Sequence, residues 1–212
     1  MAARRSEYGP VTRPIGLMVK AAKDPRVALT ELHCLLRGHA FKLWCKVTRK
    51  RFSAGRSLRL EGRIHLKGQG RVTFGNNVRV GMLVTPWTHS RSALIEIGSD
   101  SYINGTSFGC QELIRVGPRA ILGRCRIMDT NFHSLSPARH SRDAPVKTRP
   151  VILEENVWIA ANAGLLPGTH IGKNSVVGFG AVCSGDYPAD VLIAGNPARV
   201  VKSIAEDDRA PA

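Results

Sequence analysis

The sequence lacks paired cysteines. Its five cysteines form no C-x-x-C pair and show no spacing typical of a zinc site, and no signal peptide precedes them. Because disulfides persist mainly in oxidising compartments, this pattern predicts reduced, mostly buried thiols in a cytoplasmic protein. The five are Cys34, Cys45, Cys110, Cys125 and Cys183.

Long hydrophobic runs and aromatic side chains are also scarce. Apolar stretches extend over only a few residues, as at 15–19, whereas a transmembrane helix needs about 20. Aromatic residues make up 6% of the 212 residues, while glycine occurs 21 times and hydrophobic residues reach 43%. This composition indicates a turn-rich β protein with one sizeable core.

Acidic residues are few near the N terminus. Of the net charge of +15, residues 1–63 contribute a surplus of 11 (15 Lys and Arg against 4 Asp and Glu), and residues 64–212 contribute only 4 (16 against 12). A basic region of this kind can meet an anionic membrane surface or nucleic acid. No helix-turn-helix, zinc-finger or aromatic RNA-binding pattern accompanies it, so we expect no nucleic-acid partner.

From residue 153 the sequence repeats every six residues, as LEENVW, IAANAG, LLPGTH, IGKNSV, VGFGAV and CSGDYP. The first position is always apolar, and the fourth is Asn, Gly or Asp, which adopt positive φ most readily. Six such residues in succession have a chance probability on the order of 10⁻⁵. A flat segment and a corner every six residues predict a three-sided coil of 18 residues, in which Leu153 stacks on Ile171 and Ile159 on Val177. The predicted corners are Asn156, Asn162, Gly168, Asn174, Gly180 and Asp186.

The pattern continues upstream in weaker form. In LGRCRI, residues 122–127, one residue must be absorbed so that Cys125 faces the core and Arg126 faces water. After the repeat, the C-terminal segment is expected to close with a short strand and a helix or a final turn, because bare ends of a coil expose unpaired strands. The predicted regions are a basic N-terminal segment with a helical cap (1–59), a parallel β-helix (60–186, interrupted at 86–94 and 134–150), and a C-terminal cap and tail (187–212).

A helix is expected to form the N-terminal cap. It either covers the first coil with its charges in solvent, or lies on an anionic membrane surface. Because Gly38 interrupts the pattern and weakens a long amphipathic helix, we favour the covering role. The apolar residues near helical spacing are Leu32, Leu35, Leu36, Leu43 and Val47.

The repeat resembles that of the left-handed parallel β-helix acyltransferases, and VWIAANAGLLPGTHIG with IAGNPARVV resembles the galactoside and maltose O-acetyltransferases. DTNFHSL, followed by a loop and PVKTRPV, is similar to the O-acetyltransferases of surface-polysaccharide biosynthesis. The resemblance implies an all-β, left-handed fold and direct transfer from acetyl-CoA to a glycan hydroxyl. It further implies a homotrimer with sites between subunits, in the cytoplasm or at the inner face of the membrane.

His133 is the candidate catalytic base by this resemblance. A sugar hydroxyl attacks well only when its proton is removed as the new bond forms, and an imidazole suits that proton transfer near neutral pH. Asp129 has two roles open to it. It can accept a hydrogen bond from the imidazole and orient the ring, or it can cap the turn that its own backbone makes.

The resemblance also assigns binding residues. Asn104 matches an acceptor-binding asparagine, and His140 and Arg142 lie on the loop expected to reach over the site. The family usually has Ala where Phe179 stands, and Thr-Lys where Ser184 and Gly185 stand. The residues implied for acetyl-CoA are Trp158, Ala160, Ala161, Phe179, Ser184, Gly185, Arg199 and Lys202.

Three other functions are compatible with the same coil. An amino-sugar N-acetyltransferase would use His133 on an amine. A γ-type carbonic anhydrase would need three histidine ligands, and the candidates lack that family's His-x4-His spacing, so we expect no metal. A catalytically silent scaffold would not need His133, Trp158 and Arg199 together. The candidate metal ligands are His89, His133, His140 and His170.

Overall fold

The computed structural model describes residues 24–204, so the outer parts of both predicted terminal regions (1–23 and 205–212) lie outside the described residues. The elements, in chain order, are α1 (Pro25–Val47), β1 (Phe52–Ala54), β2 (Arg59–Leu60), β3 (Lys67–Gly68), β4 (Arg71–Phe74), β5 (Arg79–Val80), β6 (Thr85–Thr88), β7 (Leu94–Ile97), β8 (Tyr102–Ile103), β9 (Ser107–Cys110), β10 (Leu113–Val116), β11 (Ile121–Leu122), β12 (Arg126–Met128), β13 (Val151–Leu153), β14 (Trp158–Ile159), β15 (Gly164–Leu165), β16 (His170–Ile171), β17 (Val176–Val177), β18 (Val182–Cys183), β19 (Asp186–Tyr187), β20 (Val191–Gly195) and β21 (Ala198–Ser203).

The strands form three parallel sheets that wrap around one core. The first sheet runs β1-β4-β7-β10-β13-β16-β19, the second β2-β5-β8-β11-β14-β17-β20-β21, and the third β18-β15-β12-β9-β6-β3. Leu153 pairs with Ile171 and Ile159 with Val177, one coil apart, as the repeat predicts. The predicted all-β fold, a parallel β-helix, is therefore confirmed.

The core is a column of apolar side chains along the axis of the coil. The residues at the first position of each hexad are at most 1% exposed, and full burial of such a side chain contributes about 1.5–3 kcal/mol. The small residues at the fifth position are buried too; Thr169 donates its hydroxyl to the carbonyls of Leu166 and Cys183. The six first-position residues are Leu153, Ile159, Leu165, Ile171, Val177 and Cys183.

Five of the six predicted corners have positive φ. The three asparagines have φ of 59°, 60° and 59°, and Gly168 and Gly180 have φ of 84° and 69°. The sixth prediction, Asp186, is wrong, because Gly185 takes the turn with φ of 85° and Asp186 begins β19. Glycine adopts this conformation without the steric cost of a Cβ atom, so the last corner forms one residue early.

Side-chain orientation in the upstream coils also follows the sequence. Cys125 is buried and Arg126 is exposed, as the absorbed residue predicts. The first strand of the coil is β1 at Phe52, earlier than the repeat is recognisable in the sequence. The first interruption is short, since β6 extends to Thr88, whereas a long loop separates β12 from β13.

Helix α1 covers the first coil with the face opposite to its leucines. Asp24 caps the helix by accepting from the N–H of Arg26, and Pro25 occupies its first turn. Gly38 does not break the helix: a Cβ atom there would lie 2.0 Å from the carbonyl oxygen of Leu58, so glycine permits the close contact with the coil. Cys34 and Cys45 are buried beside it, while the predicted leucines, except the half-buried Leu35, face away.

Polar contacts and an antiparallel strand pair close the two ends. Glu31 of α1 pairs with Arg59 and Arg79 of the second sheet, and β20 pairs antiparallel with β21. The predicted terminal strand is confirmed, and no helix follows it within residues 24–204. Nor does any helix in that range have the length and apolar character needed to span a bilayer. All five cysteines are buried thiols, as predicted, and burial raises the pKa of Cys45 to about 11 and of Cys125 to about 12.

Candidate active site

A cleft of about 570 Å³ lies on the outer face of the third sheet. Lys67, Trp87, Gly109 and Met128 are paired in neighbouring strands and form one row of its floor. Thr85, Ser107 and Arg126 form the second row, two residues away along each strand. The loop between β12 and β13 supplies one wall. The lining residues are Lys67, Thr85, Trp87, His89, Ser107, Phe108, Gly109, Arg126, Met128, Asn131, Phe132 and His133.

Asp129 anchors the loop where it leaves the coil. Its carboxylate is fully buried, and its oxygens accept from the backbone N–H groups of Gln111 (2.7 Å), Glu112 (2.7 Å) and Leu113 (2.8 Å). Thr130 forms a bridge with Thr148 and closes the neck of the loop. Within residues 24–204, the partners of the Asp129 carboxylate are these three N–H groups and the Cys110 thiol. Asp129 thus caps the turn at residues 111–113 of the preceding coil, whereas the two roles considered for it were to cap its own turn and to orient the His133 ring.

The loop then places Phe132 over the floor of the cleft. Phe132 has φ of 62°, a conformation that is strained for a bulky residue. A Cβ atom at Gly109 would lie 2.5 Å from the Phe132 ring, so glycine at this point of β9 makes room for it. The ring centroid lies 4.5 Å from that of His89. This seating brings the next residue, His133, to the cleft.

His133 lines the cleft with an exposed side chain. An imidazole there can accept a proton from a hydroxyl or amine bound on the sheet and pass it to a leaving group. The ring is open to solvent, so an acceptor reaches it without any movement of the core. The sequence argument for a histidine at the edge of a groove is consistent with this geometry.

The cleft also contains Lys67, Trp87, His89 and Arg126, to which the sequence had not assigned a role in acetyl transfer. The ammonium of Lys67 lies 5.2 Å from the ring centroid of Trp87, which is 47% exposed. His89 packs against Trp87 at 4.5 Å, and its Nε2 is buried without a hydrogen-bond partner within residues 24–204. Burial lowers the pKa of His89, an effect opposed by the nearby carboxylate of Asp129. Arg126 was expected only to face water. A tryptophan at an outward strand position, in TPWTH, was the available signal.

The predicted acceptor-binding residues do not line this cleft. Asn104 follows β8 at a corner, where its N–H donates to the carbonyl of Leu122 (2.8 Å). His140 and Arg142 are exposed in the turns of the loop. The structure does not place any of these three residues in the lining of the His133 cleft.

The residues predicted for acetyl-CoA lie on later coils. Trp158 is 48% exposed on the second sheet, and Phe179 is exposed at the corner before β18. The N–H of Ala160 donates to the carbonyl of Val177 (2.9 Å), so it is engaged in the hydrogen-bond ladder between coils. By contrast, the N–H of Ala161 has no acceptor within residues 24–204.

The other residues predicted to bind acetyl-CoA lie near the C-terminal end of the coil. The N–H of Ser184 donates to the Tyr187 hydroxyl (3.4 Å), and Gly185 forms the last corner. Arg199 and Lys202 lie on β21, where the Arg199 guanidinium donates to the carbonyl of Ala198 (2.8 Å). None of the residues predicted to bind acetyl-CoA lines the His133 cleft.

The surface of the third sheet is open at Gly164, next to the cleft. Gly164 of β15 pairs with Arg126, in the same row as the cleft floor. No atom within residues 24–204 lies within 4 Å of the position where a Cβ atom would stand on Gly164. Glycine weakens a strand and often marks a place where a ligand approaches the backbone closely.

The histidines considered as metal ligands do not converge. Nε2 of His170 donates to the carboxylate of Glu154 (3.0 Å) on the first sheet, whereas His89 and His133 lie at the cleft on the third. Within residues 24–204, no three side chains of His, Cys, Asp or Glu form a group that could hold a metal ion. The arrangement that a γ-type carbonic anhydrase requires is thus not found there.

Comparisons with known proteins agree with the fold. The family model "Bacterial transferase hexapeptide (six repeats)" matches residues 150–185. A galactoside O-acetyltransferase of Lactococcus lactis is 39% identical over 95 residues (45% of each chain), and a 2,3,4,5-tetrahydropyridine-2,6-dicarboxylate N-acetyltransferase of Clostridium perfringens is 50% identical over 64 residues (30% of this chain, 27% of the relative). This chain therefore spans less than half the length of these relatives.

A solved structure matches over a longer range. The hexapeptide-repeat acetyltransferase VCA0836 of Vibrio cholerae, in complex with acetyl-CoA, has a TM-score of 0.55 and 21% identity, over 90% of this chain and 88% of its own. At this level of identity the match concerns the fold. The predicted resemblance is confirmed: residues 150–185 are bacterial transferase hexapeptide repeats, and the chain has the fold of the hexapeptide-repeat acetyltransferases.

Proposed function

We propose that the protein transfers an acetyl group from acetyl-CoA directly to a hydroxyl of a sugar or glycan, with His133 as general base. The observation that carries this proposal is the position of His133 in an open cleft on the outer face of the third sheet. Relatives with both O- and N-acetyltransferase names match the repeats, so an amino-sugar acceptor is the alternative.

The reaction needs one proton carrier. His133 takes the proton of the acceptor hydroxyl as its oxygen attacks the thioester carbonyl, which forms the C–O bond and a tetrahedral intermediate. When the intermediate collapses, the C–S bond breaks and the proton passes from His133 to the CoA thiolate. A backbone N–H without an internal partner, such as that of Ala161, suits the oxygen on which negative charge develops.

A thiol-release assay tests this function. Acetyl-CoA is incubated with the purified full chain and a panel of neutral sugars, acidic oligosaccharides and amino sugars, and free CoA is measured against time. Release that depends on a hydroxyl-bearing acceptor supports O-acetylation, and mass spectrometry of the product identifies the acetylated atom. Release with amino sugars alone favours the N-acetyltransferase. A chain that neither binds CoA nor releases thiol with any acceptor would match the scaffold.

The donor is proposed to reach His133 across Gly164. A Cβ atom there would have no described atom within 4 Å, so Gly164→Val is expected to leave the melting temperature unchanged or slightly higher. Its side chain would occupy the path of the pantetheine arm, and we expect CoA to bind about tenfold more weakly, measured by calorimetry. Unchanged CoA affinity in a folded Gly164→Val protein would place the donor elsewhere.

A homotrimer is proposed as the functional assembly, and its cofactor and acceptor sites would lie between neighbouring subunits. The separation of the predicted donor residues from the His133 cleft along the coil supports this arrangement, since a second subunit can bring the two surfaces together. Sedimentation equilibrium measures the mass. A monomer that is fully active at assay concentration would contradict the proposal.

We further propose that the cap helix rests on an anionic membrane surface, and that the protein lies in the cytoplasm. Its outward face carries an apolar stripe that no described residue covers. Beside the stripe, a basic groove of about 510 Å³ contains Lys42, Lys46, Arg49 and Lys50. The only acidic residue within the helix, Glu31, is turned inward to Arg59 and Arg79. Apolar burial and attraction to anionic lipids act together in such helices. The stripe consists of Leu29, Leu32, Leu36, Leu43 and Val47.

Vesicle sedimentation tests the membrane proposal. The full chain is expected to sediment with vesicles that contain phosphatidylglycerol and not with pure phosphatidylcholine. The double substitution Leu36→Glu and Leu43→Glu is expected to weaken binding at least tenfold, about 1.4 kcal/mol, because it places two carboxylates in the stripe. Leu135→Glu is the matched control, since Leu135 is 79% exposed on the distant loop. If the double variant binds vesicles like the parent but has a lower oligomeric mass in sedimentation equilibrium, the stripe joins copies of the chain instead.

A further inference from the structure

We infer that the cleft beside His133 binds an anionic oligosaccharide, so that the acceptor of the reaction is an acidic glycan. This inference rests on the proposed function, because it names the chemical class of its acceptor. Three features of the cleft carry it: unpaired cations, the absence of carboxylates from its lining, and an aromatic floor.

The two cations that line the cleft are not ion-paired. Lys67 and Arg126 both line it with exposed side chains, and neither forms a salt bridge within residues 24–204. No aspartate or glutamate is among the described lining residues. An arginine fork matches the geometry of a carboxylate, and a flexible lysine serves as a point charge for one.

Two outward arginines elsewhere on the coil are paired with glutamate. Arg115 pairs with Glu96 on the first sheet (2.7 Å), and Arg119 pairs with Glu155 at a corner (2.8 Å). The cations of the cleft lack such partners, which leaves them available to an anionic ligand.

Aromatic rings give the cleft a surface for a sugar ring. Trp87 is 47% exposed and Phe132 36% exposed, and His89 packs between them at 4.5 Å from each. A pyranose presents one face of C–H groups, which packs on such rings while its hydroxyls remain in water. Lys67 lies over Trp87, so a carboxylate at the edge of a stacked sugar would meet its ammonium.

The spacing of the cations favours an oligosaccharide over a single sugar. Lys67 belongs to β3 and Arg126 to β12, three strand spacings apart, or about 14 Å between backbones. This exceeds the width of one pyranose ring. Two cations whose backbones are this far apart fit a glycan that carries acidic groups on more than one sugar.

A second anionic ligand has to be distinguished, since the phosphates of CoA also seek cations. The test is calorimetric binding of a uronic-acid oligosaccharide, its carboxyl-reduced neutral form, and CoA to the full chain. We expect the acidic form to bind at least tenfold more tightly than the neutral form at low salt, and the difference to shrink at high salt. Arg126→Gln and Lys67→Gln are each expected to weaken the acidic glycan several-fold, without change for the neutral form or for CoA.

Lys173→Gln is the matched control, because Lys173 is exposed at a corner between the first and second sheets, away from the cleft. Equal affinity for the acidic and neutral forms, or no binding of the acidic form, overturns the inference. It is also overturned if Arg126→Gln and Lys67→Gln weaken CoA and spare the glycan, since the cations would then serve the donor. Acidic-glycan binding without thiol release would instead refute the proposed function and keep the binding site.

Discussion

His133→Ala is expected to lower kcat for acetyl transfer by about 10²-fold or more. The alanine variant lacks the exposed imidazole that takes the hydroxyl proton as the C–O bond forms. CoA affinity should be unchanged, because none of the residues predicted for acetyl-CoA lines the cleft that contains His133. Since His133 is exposed and packs into no core, the melting temperature should also stay within a degree or two of the parent.

The measurement is initial-rate thiol release over a range of both substrates, with CoA affinity from calorimetry on the same preparations. His33→Ala serves as the matched control, since His33 is exposed on the cap helix and lies far from the third sheet. A parent-like kcat in a folded His133→Ala protein would remove His133 from the reaction. Loss of CoA binding in that variant would mean that the histidine positions the donor.

The fold was predictable because its six-residue period depends on local backbone conformation. Residues that tolerate positive φ recur every six positions, and an apolar residue follows each corner at a fixed distance. The predicted corner at Asp186 was wrong, because the neighbouring Gly185 takes the positive φ of that turn. It also missed β1 at Phe52–Ala54, since that segment lacks a flanking run of hexads.

The orientation of the cap helix could not be predicted from leucine spacing. Spacing identifies an apolar stripe, and the usual inference is that the stripe faces the core. Here Gly38 decides the contact, because its missing Cβ lets the helix backbone reach Leu58. Two small buried residues, Cys34 and Cys45, extend that contact and leave the leucines outside.

The site was predictable only in part, because its floor is assembled across coils. His133 stands in a contiguous motif, so a local reading found it. Lys67, Trp87, Gly109 and Met128 become neighbours through strand register, at separations of 20, 22 and 19 residues instead of the ideal 18. These uneven separations cannot be read before the loops are placed. Arg126 similarly meets Gly164 across an insertion.

Asp129→Ala is expected to lower the free energy of unfolding by about 3–5 kcal/mol, because three backbone N–H groups would lose their acceptor in a buried setting. Asp129→Asn should lower the free energy of unfolding by less, because its amide oxygen can still accept a hydrogen bond. Its amide nitrogen, in contrast, would face a backbone N–H group and could not accept from it. Denaturant unfolding followed by circular dichroism measures both, and Asp143→Asn, on the exposed loop, is the matched control.

The two roles of Asp129 predict opposite patterns. If Asp129 anchors the loop, its substitution lowers the free energy of unfolding, and it lowers kcat only because the loop detaches from Gln111, Glu112 and Leu113. Activity of Asp129→Asn should then recover on cooling, when the loop binds these residues again. An aspartate that orients the His133 ring would instead leave stability near that of the parent and reduce kcat at every temperature. Because its oxygens are engaged by backbone donors at 2.7–2.8 Å, we expect the first pattern.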